Sequence, residues 1–273
     1  MNRHNMLSSR QNDTIKFVCK LRDRTKRNRY RMFLIEGCRE LGRAIRCDIS
    51  IDTVFFCRDF IKSVEQEDVL SASEEAGISM CEVSRDVFEK ISNRDNCDGL
   101  IGLANFWDTS AELAKGKNLS FVLVAEGIEK PGNLGALIRS AESAGVDFLI
   151  LCDPVTDIFN PNVVRASQGA VFSTNIIVTD NKSAYDLLKK NNVNLFATTP
   201  DVDDIYFDES FTQNCAILVG AEHSGLSDFW LKKDDVKKIS LPQSGVCDSL
   251  NVNDAAVVVL YEVLRHRILS QRR

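Results

Sequence analysis

Short apolar runs alternate with helix-length stretches along almost all of this 273-residue chain, and no other feature limits its fold as strongly. In the first hundred residues the runs are Phe33–Ile35, Val54–Cys57, Ile78–Val83 and Leu100–Ala104, with Cys38–Cys47, Phe60–Ala76 and Arg85–Ile91 between them. Runs of this length bounded by turn residues read as strands, so the region reads as a small α/β domain. A polar stretch, Asn105 to Asn118, then reads as a linker, giving an N-terminal domain of residues 1–106, a linker of 107–118 and a C-terminal domain of 119–273. In the last of these the strand signals are stronger: Phe121–Ala125, Phe148–Cys152, Ile176–Val178, Leu195–Thr198, Ala216–Gly220 and Lys238–Leu241. The final element reads as a helix, because Val252, Ala255, Ala256, Val259, Leu260, Val263 and Leu264 recur at helical spacing. Strands that alternate with helices imply a mainly parallel sheet, in which ligands bind beyond the carboxyl ends of the strands.

Charge is distributed unevenly. The chain as a whole carries a net −5, which by itself argues against a nucleic-acid partner. Residues 1–46, however, hold 13 Lys and Arg against 4 Asp and Glu, a local +9 that leaves −14 for the rest. The densest stretch, Lys20 to Arg31, leads directly into the first strand, so it is tethered to a folded domain. A tethered cationic patch suits the phosphate backbone of a nucleic acid, where counterion release supplies affinity. Arg22, Arg24, Lys26, Arg27, Arg29 and Arg31 are the expected RNA-binding residues.

Other classes are disfavoured. No apolar run approaches the roughly 18 residues of a membrane span, and the N-terminus lacks the apolar core of a secretory signal. The nine cysteines form no CxxC pair and only three histidines occur, so neither zinc nor any other metal is expected. The thiols read as reduced and mostly buried, as in a cytoplasmic protein.

Three loops at strand ends carry the unusual chemistry. The first, Glu126 to Gly135, joins a strand to a helix read as Ala136–Ala144, but it has neither G-x-G-x-x-G spacing nor a Walker lysine. Asn133 in it could simply cap that helix, and Arg139 would lie near the helix start, where a cation favours an anionic partner. The second, Gly220 to Ser227, has glycines that permit close backbone approach to a ligand; its His223 has no partner identifiable in sequence. The third, Pro242 to Asn251, crowds Ser249, Asn251 and Asn253 at the entrance of the last helix, more short polar residues than capping needs. Cys247, with no base beside it, reads as a bystander thiol.

Taken together these loops resemble the three motifs of the SPOUT superfamily, in its SpoU/TrmH-type branch of RNA ribose 2′-O-methyltransferases. The residues that carry the resemblance are Pro131 to Gly145 with Val164 to Phe172, Ile217 to Ser227, and Ile239 to Pro242 with Ser249 to Ala256. Residues 1–106 more loosely resemble the family's ribosomal-protein-L30-like RNA-binding domain. The resemblance implies an α/β protein with a small L30-like N-terminal domain and a C-terminal parallel-sheet SPOUT domain, its last helix threaded into a deep trefoil knot. It implies S-adenosylmethionine as cofactor and a homodimer formed through the C-terminal domain. Thr198, Thr199, Gly220, Leu241 and Leu250 would hold the cofactor; Asn133, Arg139, Glu222, Ser249 and Asn251 would form the reaction centre. His223 stands where the family usually has a small residue and Asp254 where it often has Ser or Thr, which bears on substrate fit.

The family's proposed base is the arginine matching Arg139, yet a guanidinium remains protonated at neutral pH and is a poor base. Arg139 is therefore expected to hold the substrate phosphate and polarise the 2′-oxygen, with Glu222 and Asn133 orienting it. Ribosomal RNA is the expected substrate because of the additional N-terminal domain. The alternatives are the same chemistry on transfer RNA, an RNA-binding assembly factor without catalysis, methylation of a base, and an oxidoreductase, which would lack its phosphate fingerprint.

Overall fold

The computed structural model describes residues 6–93, 97–245 and 250–272. It divides into two compact units, residues 1–107 with 157–173, and residues 108–156 with 174–273.

The first unit contains α1 (Asp13–Lys20), α2 (Arg24–Tyr30), β1 (Met32–Glu36), α3 (Cys38–Arg46), β2 (Ile51–Phe56), α4 (Val64–Glu75), β3 (Ser79–Glu82), α5 (Arg85–Ile91) and β4 (Leu100–Asn105). The four strands are those expected, but their sheet is mixed. Its order is β1-β4-β2-β3, with β4 antiparallel to both neighbours and only β2 and β3 parallel. The last strand inserts between the first two, an arrangement that alternation alone does not determine.

Helices α1 and α2 lie in the cationic region, which showed no strand or helix pattern in sequence. Local chemistry starts both: the side chains of Asn12 and Asp23 accept from the backbone N–H groups of Thr14 and Lys26. Helix α1 buries Ile15 and Val18, which with Leu21 join a core of Leu34, Phe55, Phe88 and Ile101. Helix α2 has no apolar stripe. It buries Arg27 instead, 2% exposed, whose guanidinium donates to the carbonyls of Leu21 and Arg22 and to Asp157 at 2.6 Å. Asp157 opens the 157–173 segment, which includes α7 (Pro161–Ala166) and groups with this unit, placing Phe159 and Phe172 against Phe33.

In the second unit the strands are β5 (Phe121–Glu126), β6 (Phe148–Cys152), β7 (Ile176–Thr179), β8 (Asn194–Thr198), β9 (Cys215–Val219) and β10 (Val236–Ile239). The helices are α6 (Pro131–Ala144), α8 (Asn181–Lys190), α9 (Asp228–Leu231) and α10 (Val252–Gln271). All five strand pairings are parallel, in the order β10-β8-β9-β5-β6-β7. Strands β5, β6 and β9 are buried along their whole length, which explains why their sequences are continuously apolar. The chain winds one way from β5 to β7, then crosses to build β8, β9 and β10 on the other side. The reversal falls between β5 and β9, and a crevice opens beyond the carboxyl ends of the strands at such a point.

The polar stretch before β5 does not hang free of this unit. Thr109 accepts from the backbone N–H of Val178 on β7, and Ala114 and Leu119 join the core around Phe148 and Trp230. At the other end, α10 buries Val252, Ala256, Val259, Leu260 and Val263. Near its C-terminus, Arg267 donates to Ser120 Oγ at 3.1 Å and covers the Phe121 ring.

Candidate active site

Four adjacent strands, β10, β8, β9 and β5, direct their following loops to the same end of the sheet. Two of these loops are joined at their bases by one buried carboxylate. Glu126, at the end of β5, accepts from Ser227 N at 2.7 Å and Ser227 Oγ at 2.6 Å, and also from Asn181, whose amide oxygen takes the Trp230 indole N–H. A buried carboxylate is tolerable when hydrogen bonds satisfy it to this extent, and here they fix where the 220–227 loop ends.

Within that loop the backbone of Ala221 and Gly225 pairs in both directions, at 3.1 and 2.9 Å, so the chain turns back on itself at once. Gly220 makes this possible. A Cβ built there would lie 2.0 Å from the Gly225 carbonyl carbon and 2.2 Å from the Leu226 nitrogen.

A cleft of about 390 Å³ opens beside this turn, within the range typical of small-molecule sites. Thr198, Thr199, Gly220, Leu241 and Leu250, the five residues expected to hold a cofactor, all line it, as do Glu222 and His223. Its far wall is fixed by backbone contacts. Thr199 N donates to Ile239 O at 3.0 Å, Ser240 N to Asp204 O at 2.7 Å, and Tyr206 N to Ser240 O at 3.1 Å. Residues 199–206 thus wrap the end of β10.

The residues expected at the reaction centre are only partly brought together. Helix α6 begins at Pro131, earlier than its sequence suggested, with Lys130 at the N-cap position. Asn133 is consequently inside the first turn and not a cap, and its amide donates to Glu222 Oε1. Arg139 falls in the middle of α6, where the helix dipole no longer disfavours it. It is exposed, and among the described residues no ion pair or hydrogen bond engages it. Asn251 is the cap of α10, accepting from Asn253 N at 3.0 Å, and Asn253 in turn accepts from Ser140 of α6 at 2.8 Å. Ser249 and Cys247 lie outside the described residues.

Sequence reasoning missed Lys130. Its ammonium lies 2.5 Å from Glu222 Oε2, while Asn133 holds the other carboxylate oxygen. The Glu222 carboxyl is accordingly held below the usual carboxylate range, by the Lys130 contact first and against the opposing effect of partial burial. A depressed carboxyl stays ionised until the pH falls through its lowered pKa. In Lys130→Met the Glu222 pKa therefore rises, and the acidic limb of the activity profile is expected to move to higher pH. An unshifted limb would show that Glu222 does not govern it.

The family model for the SpoU rRNA methylases matches residues 120–261. The chain belongs to this family. A second model, described as an MRM3-like substrate binding domain, matches residues 12–102. Over almost its full length the chain is similar to individual SpoU relatives. It is 26% identical to the 23S rRNA (guanosine(2553)-2′-O)-methyltransferase of Bacillus subtilis, covering 94% of this chain and 98% of the relative. A crystal structure of an RNA 2′-O ribose methyltransferase is 36% identical, with a TM-score of 0.84 over 96% of this chain and 99% of that one. The AdoMet-bound rRNA methyltransferase from Sinorhizobium meliloti is 26% identical, again with a TM-score of 0.84, over 96% and 97%.

The structure revises part of the expected RNA-binding set in this SpoU chain. Arg27 is withdrawn from it, because its guanidinium is buried and spent on two carbonyls and Asp157. Arg22, though exposed, donates to the carbonyls of Lys90 and Ser92 at 2.7 and 2.8 Å, and Arg24 pairs with Asp157 at 3.7 Å. Burial makes three of the cysteines poor nucleophiles: it pushes the thiols of Cys38 and Cys215 up to about 11 and that of Cys152 further. No helix among the described residues is long and apolar enough to cross a membrane.

Proposed function

We propose that this chain transfers a methyl group from S-adenosylmethionine to a ribose 2′-hydroxyl of ribosomal RNA. The observation that carries the reading is one cleft at the sheet's carboxyl end that gathers Thr198, Thr199, Gly220, Leu241 and Leu250. The donor set suits the cofactor. Gly220, whose Cβ position is filled by the backbone of Gly225 and Leu226, offers backbone to the cleft, and Leu241 and Leu250 offer apolar contact. When bound, S-adenosylmethionine supplies an electrophilic methyl on a sulfonium sulfur.

The chain's own residues then position the acceptor. Arg139, exposed and unengaged among the described residues, clamps a substrate phosphate and polarises the 2′-oxygen, whose proton passes to solvent as the methyl is accepted. Glu222, fixed by Lys130 and Asn133, and Asn251, fixed at the α10 cap, orient the groups around it; Ser249 is assigned to the same centre. Positioning alone supplies a large part of the rate, because effective molarities are worth on the order of 7–11 kcal/mol.

In this reading residues 1–106 recruit the RNA and residues 119–273 bind the cofactor and catalyse. The wrapping of 199–206 around the end of β10 supports a chain threaded as a deep trefoil knot, a topology that folds otherwise almost never adopt. Val258, Tyr261, Ile268 and Leu269 leave α10 with exposed apolar side chains, which supports its burial in a homodimer. Free thiols throughout the described chain suit the cytoplasm.

Mapping 2′-O-methyl positions in total RNA from cells with and without the gene tests the function. One position in ribosomal RNA is expected to lose its methyl group. Loss in transfer RNA instead would reassign the substrate, and loss in neither would overturn catalysis.

A further inference from the structure

Two arginines of the α2 region stand apart from the other three. Arg22, Arg24 and Arg27 are engaged by carbonyls or by Asp157, whereas Arg29 and Arg31 lie over aromatic rings. The Arg31 guanidinium lies 4.8 Å from the centroid of Phe106. That ring is itself stacked on Phe159, with centroids 3.6 Å apart and planes within 9°. Phe159 occupies one face of Phe106, so the guanidinium covers the other. Beneath them Phe159 packs against the buried Phe33 and against Trp107. The column therefore rises from the core of the first unit and ends in an exposed planar cation.

Its backbone is constrained as well. Arg31 ends α2 in the left-handed region at φ 54°, a conformation that Gly or Asn takes at lower cost, and its carbonyl accepts from Phe106 N at 2.9 Å. Beside it, Arg29 lies 5.5 Å from the ring of Tyr30, which is 40% exposed and rests edge-on against Phe17. A phosphate contact needs only charge. A planar cation placed over a two-ring stack offers a π-surface in addition, and RNA proteins use guanidinium planes and aromatic rings of this kind to stack unpaired bases.

We propose that Arg31, supported by the Phe106–Phe159 stack, is a stacking platform for an unpaired nucleobase of the RNA substrate, with Arg29 and Tyr30 extending it along the strand. The inference rests on the RNA-methyltransferase reading and narrows its substrate to RNA that presents a single-stranded segment to this face.

The test compares the full chain with Arg31→Lys, which keeps the charge and removes the plane, and with Arg31→Ala. The probe is an unstructured oligoribonucleotide carrying 2-aminopurine, a base whose fluorescence falls on stacking, alongside a duplex of equal length. Wild type is expected to quench the probe and to prefer it to the duplex. Arg31→Lys is expected to bind the single strand about tenfold or more weakly with its salt slope retained, while Arg31→Ala loses affinity and about 0.7 of a unit of slope. Unchanged thermal unfolding keeps the comparison among folded proteins. Equal binding by Arg31→Lys and wild type, or preference for the duplex, overturns the platform and leaves the RNA reading standing. Failure of wild type to bind either RNA overturns both.

Discussion

Gly220→Ala is expected to weaken S-adenosylmethionine binding a hundredfold or more, read by isothermal titration of the full chain. The methyl group would lie 2.0 Å from the carbonyl carbon of Gly225, 2.2 Å from its oxygen and 2.2 Å from Leu226 N. These are backbone atoms, so no flexible side chain can yield. The turn must open, which breaks the paired Ala221–Gly225 hydrogen bonds and displaces the cleft wall that Gly220 and Glu222 form. Overpacking of this kind costs typically 1–3 kcal/mol and sometimes more, and a hundredfold change corresponds to about 3 kcal/mol. Gly225→Ala is the control. Gly225 has a positive φ of 65° but nothing within 4 Å of an added Cβ, so only backbone strain of about 1–2 kcal/mol applies. The two glycines of one loop should therefore differ clearly, with Gly220 the more sensitive. Similar affinities for the two variants would mean that the loop does not shape the cofactor site.

The contrast between these glycines shows what sequence could convey. Spacing marked the loop as one that needs glycine, but only the Ala221–Gly225 pairing reveals which of the two has no room. The second sheet was legible for a related reason: strands buried on both faces must be apolar throughout, so β5, β6 and β9 stand out as continuous runs. Helix α2 was not legible, because its anchor is a charged residue. Arg27 is indistinguishable in sequence from Arg29 two positions later, yet Asp157, far along the chain, draws one inward while the other stays exposed. Lys130 was missed in the same way, since its partner Glu222 lies in another loop. Asn133 resembles a cap because a proline two residues earlier reads as loop; Pro131 is instead the first residue of α6, where its missing N–H costs nothing. Polar residues take their roles from partners distant in sequence, whereas apolar periodicity is local.

Arg139 provides the second large effect. Arg139→Ala and Arg139→Lys are both expected to lower kcat for methyl transfer by about 10²–10³, the cost of removing one donor aimed at developing charge. S-adenosylmethionine affinity should remain at the wild-type value, because Arg139 is on α6 and is not part of the cleft lining. The lysine variant decides the role. A point charge would be replaced by lysine with little loss, whereas a planar fork that grips a phosphate and reaches the 2′-oxygen cannot be. Near-wild-type turnover by Arg139→Lys would therefore exclude the clamp. The pH profile separates clamp from base. A guanidinium stays charged across the working range, so a clamp leaves the wild-type profile without a limb belonging to Arg139, and the limb tied to Glu222 persists in both variants. If Arg139 were the base, the wild-type rate would rise about tenfold per pH unit as its small deprotonated fraction grew, and the rise in Arg139→Lys, with its lower intrinsic pKa, would level off at lower pH than in wild type. Profiles for both proteins that flatten above the Glu222 limb, with no tenfold rise per pH unit, are the outcome that the exposed and unpartnered position of Arg139 among the described residues leads us to expect.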